Sequence, residues 1–435
     1  MPRAELKNLE KLLSDDTVLS KLFSPLEVEL SKVRYSANLF KTLSMPLFTL
    51  LGFLRHLKGS CTMRHYLQEL MHLSDFEKLP LARSTWFDAL NSPRRALVLE
   101  QVLPKLIMRA KKSLPDRLSE IPGLSGRAVY AVDGTYQQES AHYQRCTPKQ
   151  GGTDNPKGHC LLPFFDVRSC IPVDVRINTS SASETTVLKD YILESDSLFR
   201  QSGALWLADR GFVDCSMWDS LKQLREIEVI TRIKENMVIL SSEDQPVQSL
   251  LINEGVESDQ HVELKASKTL WRLITYRTPN GSTFKYLTNN FDLEPGVVAF
   301  LYLRRWDEEK CFDTWKNDFA QKKAWSKGAS AIKSQALLAI ISSVLVALFV
   351  NEYQSKWGIS DEKALEKQEK RFEESITSKQ ISDDGCITRP WYFLYFRGVS
   401  KVSKQVIRFF SCCFAKKSTE RLYERQLRPL FLKYL

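Results

Sequence analysis

Two short apolar runs each end on an aspartate with a glycine close behind: AVYAVD stops at Asp133 before Gly134, and ALWLAD stops at Asp209 before Arg210 and Gly211. A carboxylate at a strand end stands on a rigid support, and a glycine beside it lets a ligand approach the backbone, which suits a metal ligand. Aspartate also starts turns, so these two positions alone fit a pair of turns equally well. The segment FLYLRRWDEEKCFDTWKNDF shifts that balance. Its Tyr302, Arg305, Glu309 and Lys316 are spaced by three, four and seven, so on a helix they share one face. A stripe at this spacing is usually apolar and buried; this one is polar and of mixed charge, and turned inward it must meet something charged. The bland alternative is an exposed, salt-bridged helix.

Phosphoryl transfer with two metal ions gives a reason for these residue types. Two Mg²⁺ ions roughly 4 Å apart serve the attacking and leaving oxygens and need hard carboxylate ligands from several elements. Asp133, Asp209 and Glu309 are the candidate ligands. Arg305, with its planar fork, and Lys316, as a point charge, would hold phosphates that are not transferred. Tyr302 would hydrogen-bond a phosphate or stack on a base. Glu308 points about 100° away from that face. Asp166 and Asp174 read as hairpin residues, and His159 as a local acid or base that two-metal chemistry does not require. His142, Cys146, His159 and Cys160 are of the types that bind zinc, but their spacings repeat no known zinc motif.

The elements that must position these residues can be read from periodicity. RAVYAVDGTY, HCLLPFFDV and IPVDVRINTS are rich in Val, Phe, Tyr and Ile, with Arg168 and Ser169 turning the last two into a hairpin. A helix from Glu184, the strand 204–209, a helix around Ser216–Arg225 and the strand EVITRIKE follow, so the core is a mixed α/β sheet. Residues 237–290 return to β character, with a turn at Pro279, Asn280 and Gly281, and read as a β-rich insertion. From Pro295 helix dominates to about Tyr353, and 361–379 reads as a charged helix or linker. Ahead of the break at IPGLSGR the pattern is helical, with Ser74 and Ser92 as N-caps and Pro93 in the first helical position. MRHYLQELMHL, LARSTWFDAL and SPRRALVLEQVLPKLIMRAKK have the lengths of a helix-turn-helix with a third, supporting helix; a plain helical bundle fits as well. The expected domains are an all-α DNA-binding region at 1–120, an α/β domain at 121–355 holding the insertion, and a helical basic region at 356–435.

Composition bounds the alternatives. With 435 residues, 43% hydrophobic and 26% charged, the chain has enough apolar material to bury cores and is not a disordered chain. Nine scattered cysteines without a CxxC pair suit a reducing compartment. The charged N-terminal stretch has no secretory signal pattern, so the expected location is the cytoplasm. The net charge of +10 is uneven: +6 over residues 1–125, +7 over 401–435 and −3 between them. Basic ends suit a polyanion and an acidic middle suits metal, although a merely soluble basic surface has the same charge. The apolar run 336–350 is short of the roughly 20 residues a bilayer needs and holds two serines, so a buried core helix is expected rather than a membrane anchor.

With these residues in hand, the sequence resembles the DDE transposases of bacterial insertion sequences, in the group named after insertion sequence four. That group carries Tyr-x-x-Arg-x-x-x-Glu-x-x-x-x-x-x-Lys, which Tyr302, Arg305, Glu309 and Lys316 match at every position, and its two aspartates stand in contexts like AVDGT and LADRGF. The resemblance covers about 60–355. It implies a ribonuclease-H-like catalytic core bearing Asp133, Asp209 and Glu309, two Mg²⁺ or Mn²⁺ ions, and DNA contacts from Tyr302, Arg305, Lys316 and Trp306. It further implies cleavage at terminal inverted repeats, transfer to target DNA, and a homodimer in a synaptic complex, with a hairpin intermediate in some relatives. In those relatives aromatic residues of the insertion help flip a base; Trp271 and Trp306 are candidates, with Trp271 read first as an ordinary core residue of the insertion. The reading from another class is a DNA-binding regulator of transposition without catalytic activity.

Overall fold

The computed structural model describes residues 18–36, 40, 42–57, 62–71, 81–138, 147–148, 157–178, 183–278, 281–305, 309, 311, 314–315, 319, 321, 323–357, 407 and 433. The described residues begin with helices α1 (Val18–Ser31), α2 (Met45–Leu57), α3 (Met63–Met71), α4 (Arg83–Leu90) and α5 (Pro93–Ser113). Ser92 caps α5 as expected: its hydroxyl accepts from the Arg95 N–H, and Pro93 takes the first helical position, where a missing N–H costs nothing. Ala96, Leu99, Val102, Leu103, Leu106 and Ala110 then recur at the helical period and are buried. The other expected cap, Ser74, lies outside the described residues.

Beyond these helices the chain turns to strand. β1 (Val129–Val132) and β2 (Thr135–Gln138) both pair antiparallel with β4 (Lys157–Asp166), and β3 (Thr147–Pro148) adds a short pairing at the start of β4. The β1 and β2 pairings share one register, from Val132↔Phe164 through to Thr135↔Leu161. They are therefore two parts of one strand path, interrupted where Asp133 and Gly134 fall opposite Pro163 and Leu162. Pro163 has no N–H to give, so the ladder lapses there. β5 (Ile171–Asn178) returns along β4 through the expected turn, where Asp166 accepts from the N–H groups of Arg168 and Ser169. Asp174 bonds Arg176 at 2.9 Å and accepts from the Tyr191 hydroxyl, and Asp166 pairs with Lys111, so both hairpin aspartates are engaged by partners of their own.

α6 (Glu184–Leu193) leads to β6 (Leu205–Ala208), and α7 (Cys215–Arg225) leads to β7 (Glu228–Arg232). β6 lies parallel to β1 and β7 parallel to β6. The order β5-β4-β1-β6-β7, with the first three antiparallel and the last two parallel to β1, is a ribonuclease-H-like core. Every residue of β6 is buried, and Trp206 stacks on Phe199 at 3.9 Å, as befits a central strand covered on both faces.

The expected insertion is present as β8 (Ile239–Gln245), β9 (Val256–Leu264), β10 (Leu270–Arg277) and β11 (Thr283–Thr288). Because β11 pairs with β7, the insertion extends the core sheet to eleven strands among the described residues. Trp271 is fully buried and its indole N–H reaches Asp219 of α7 at 3.0 Å, so it is a core residue joining the insertion to the α/β layer. Arg272 and Asp259 form a buried fork on neighbouring strands, and Arg272 also donates to the Leu293 carbonyl at 2.6 Å. That bond ties the insertion to the start of α8 (Pro295–Arg304).

One helix was expected through residues 300–319. Regular helix closes at Arg304; the N–H of Arg305 donates to the Tyr302 carbonyl three residues back, a tighter turn, and Glu309, Cys311, Thr314 and Trp315 are helical beyond it. α9 (Ala329–Trp357) contains the long apolar run. By length and composition it is able to cross a membrane, yet 83% of its apolar window is buried within the protein. It packs against α1, α2, α5 and β5, with Gly52 of α2 so close to Leu338 that a side chain there would strike it.

Candidate active site

Register brings the two strand-end aspartates together. β1 and β6 pair from Val129↔Leu205 to Val132↔Ala208, so the next residues, Asp133 and Asp209, leave neighbouring strands side by side, about 5 Å apart by strand spacing. Both stand at carboxyl ends of parallel strands, where open α/β sheets form their crevices. The start of α6 secures this end. Glu184 packs its carboxylate against Gly134, where an added Cβ would collide with it, and the Thr185 hydroxyl donates to the Gly211 carbonyl at 3.0 Å. The glycine after Asp133 thus leaves room for the end of the Glu184 side chain, whereas Gly211 faces open space.

The third carboxylate arrives from the α8 side. Arg305 donates from one nitrogen to Asp133 Oδ2 and from the other to Glu309 Oε1, each at 2.9 Å, with its own side chain only 6% exposed. Tyr302, one turn earlier, donates to Asp209 Oδ1 at a long 3.5 Å, and Arg305 lies over the Tyr302 ring. Tyr302, Arg305 and Glu309 do face the two aspartates. Trp306 and Lys316 lie outside the described residues.

The electrostatics follow from crowding three acids around one guanidinium. Burial pushes the Asp133 carboxyl up to about 6; Arg305 opposes the shift, while Asp209 and Glu309 add to it. Burial pushes the Tyr302 hydroxyl up to about 12, so it remains a donor. For Arg305 burial works against the charge, but Tyr302, Asp133, Asp209 and Glu309 together outweigh it and hold the guanidinium charged. His159 and Cys160 are consecutive in β4 and point to opposite faces, so they do not share an ion; His142 and Cys146 lie outside the described residues.

Three contributors were not found from sequence. The start of α6 carries no chemical signature. Arg232, at the end of β7, lies over Phe284 of β11 at 4.9 Å and within electrostatic reach of Tyr302. The third is a set of buried glutamines beyond Glu309, whose partners are distant in the chain.

A ribonuclease-H-like sheet with acidic residues at adjacent strand ends is the frame of a nucleic-acid-processing enzyme class. Residues 125–345, just over half of the chain, match the Transposase DDE domain family, and the chain belongs to that family. No match is found among curated proteins. Among solved structures, one with a likeness is described as a piggyBac transposase synaptic complex with hairpin DNA, solved by cryo-EM. The identity is 10% and the TM-score 0.41, covering 98% of this chain and 85% of that one.

Proposed function

We propose that this chain is the transposase of a bacterial insertion sequence of the insertion-sequence-four group. It binds the element's terminal inverted repeats, cleaves DNA at the element ends and joins them to target DNA. Asp133, Asp209 and Glu309 are the ligands of two divalent ions, Mg²⁺ or Mn²⁺. The observation that supports this reading most is the convergence of residues far apart in sequence. Asp133 and Asp209 share a strand register, and Arg305 links Asp133 to Glu309.

The donor set fits such ions. Three hard carboxylates, one pushed up in pKa by burial and by its acidic neighbours, gain most from divalent cations. As the side chains stand, Arg305 fills the gap between two of them, and among the described residues no three His, Cys, Asp or Glu meet at one point. Loading therefore requires Arg305 to turn aside. Its fork then suits a phosphate of the DNA backbone, alongside Lys316, while Tyr302 steadies Asp209 through its hydroxyl. When bound, two such ions polarise the attacking and leaving oxygens of a phosphoryl transfer. Trp306 belongs to the same proposed DNA-contacting stripe. The synaptic complex is proposed to be a homodimer on DNA, working in the cytoplasm.

The test is cleavage of a supercoiled plasmid that carries the coding region with its own flanking DNA. Asp133→Asn, Asp209→Asn and Glu309→Gln are each expected to lower Mg²⁺-dependent cleavage about 1000-fold, the several kcal/mol that metal ligands give the transition state. Binding to the flanking DNA in EDTA is expected to persist. Wild-type cleavage rates in the Asp209→Asn protein would overturn the assignment.

A further inference from the structure

A second link joins the Asp133 strand to the Glu309 segment, and it carries no charge. Asp133, Thr135 and Gln137 alternate along the β1–β2 path and so face the same side of the sheet. Gln137, 1% exposed, donates its amide to Gln321 Oε1 at 2.6 Å and to the Gln321 carbonyl at 3.2 Å. Gln321 in turn donates to the carbonyl of Gln335 at 2.9 Å. Gln335, fully buried in α9, donates to Gln321 Oε1 at 3.2 Å and to the Lys323 carbonyl at 3.1 Å, and accepts from the Trp325 N–H at 2.8 Å. The backbone continues the link: Lys323 bridges Gln138 as a parallel pair, and the Ala324 N–H donates to the Gln138 carbonyl.

His56 of α2 faces Gln321 Nε2 at 3.5 Å, and its neutral ring, held far below its ordinary pKa by burial and then by Arg55, brings no charge. Three primary amides therefore fasten the segment that follows Glu309 onto the strand that carries Asp133. Buried amides at these distances resist displacement, because a shift strands their donors away from water.

The two links respond differently to the ligands of the proposed reaction. The Arg305 link is ionic and competes directly with divalent cations for Asp133 and Glu309, and with phosphates for Arg305. The glutamine link is indifferent to both. We propose that the Gln137–Gln321–Gln335 lattice keeps Glu309 in register with Asp133 when Arg305 is drawn off, which makes Gln137 and Gln321 positioning residues for the metal ligands. This rests on the metal-binding role proposed above for the three carboxylates.

The experiment is Mn²⁺ binding to the full-length protein, read from the free-ion electron paramagnetic resonance signal well below the melting temperature. Gln321→Met keeps the length of the side chain and removes its hydrogen bonds. Gln137→Met, which leaves the Gln335 bonds to Lys323 and Trp325 in place, is the second variant should the first fail to fold. Either substitution is expected to weaken Mn²⁺ binding about tenfold, as loss of the groups that orient metal ligands does. The double variant is expected to fall little further, because the two act through one link.

A variant that melts earlier yet binds Mn²⁺ as the wild type does would reduce the lattice to a packing feature and overturn the inference. Asp209→Asn, measured alongside, separates the two possible failures. If it too binds Mn²⁺ like the wild type, the metal-site reading falls; if it loses Mn²⁺ while the glutamine variants keep it, only the positioning inference falls.

Discussion

Asp133 concentrates the physical demands of the site. It follows a fully buried strand, lies opposite a proline that cannot complete the ladder, and touches a cation shared with Glu309. Burial, with Asp209 and Glu309 adding to it, lifts its carboxyl to about 6 from an ordinary value of 3.8. A raised folded-state pKa means that the native protein takes up a proton there more readily than the unfolded chain does. That stabilising contribution is complete below about pH 4 and disappears as the pH rises through about 6. In EDTA, Asp133→Asn should therefore gain stability relative to the wild type as the pH rises from about 4 to about 6, the window set by the ordinary and the raised pKa. Thermal melts across that range provide the measurement, and parallel profiles for the two proteins would count against a half-buried carboxylate with a raised pKa. The residue itself was readable from sequence, since an apolar run that stops on Asp-Gly marks a strand end. Its neighbours were not. Glu184 against Gly134 and Arg232 over Phe284 are contacts between distant segments, and neither residue type is unusual in its local setting.

At the scale of elements, the β-rich insertion is anchored by buried polar pairs. Arg272 and Asp259 are 6% and 5% exposed and bond through both nitrogens of the fork. Removing one partner leaves an uncompensated buried charge, so Asp259→Ala should cost about 3–5 kcal/mol. Replacing both, as Asp259→Leu with Arg272→Met, should recover most of that loss. Urea unfolding of the three variants tests the comparison, and a double variant no better than Asp259→Ala would refute it. Elements with strong local signals were legible: α5 from Ser92 and Pro93, the β4–β5 hairpin from its turn, β6 from an apolar run, and the insertion from its alternation. What periodicity does not reveal is partnership. The joining of β1 and β2 into one path along β4, the pairing of β11 with β7, and the tight turn at Arg305 depend on long-range fit rather than on local pattern.

Across the whole molecule, α9 is the common wall. It packs against α1, α2 and α5 on the helical side and against β5 on the sheet side, and one continuous set of buried apolar residues runs from Val18 to Val350. The N-terminal helices and the sheet are therefore expected to unfold together. Leu338→Ala, at the contact with Gly52, should lower stability by about 3 kcal/mol. Fluorescence from Trp86 in the helices and Trp206 in the sheet should then shift to the same midpoint, and two separated transitions would refute a shared core. Apolar composition alone left α9 open to two readings, and 83% of its apolar window lies against the protein's own residues. The parallel register of β1 with β6 carries a further consequence. Two of the three acids are cast into the middle of an eleven-stranded sheet, so their separation is fixed by the pitch of the backbone and no side chain can retune it. The third is bolted on from outside. The arrangement works like a wrench with one solid jaw, in which every adjustment for a different cargo has to be made on the Glu309 side.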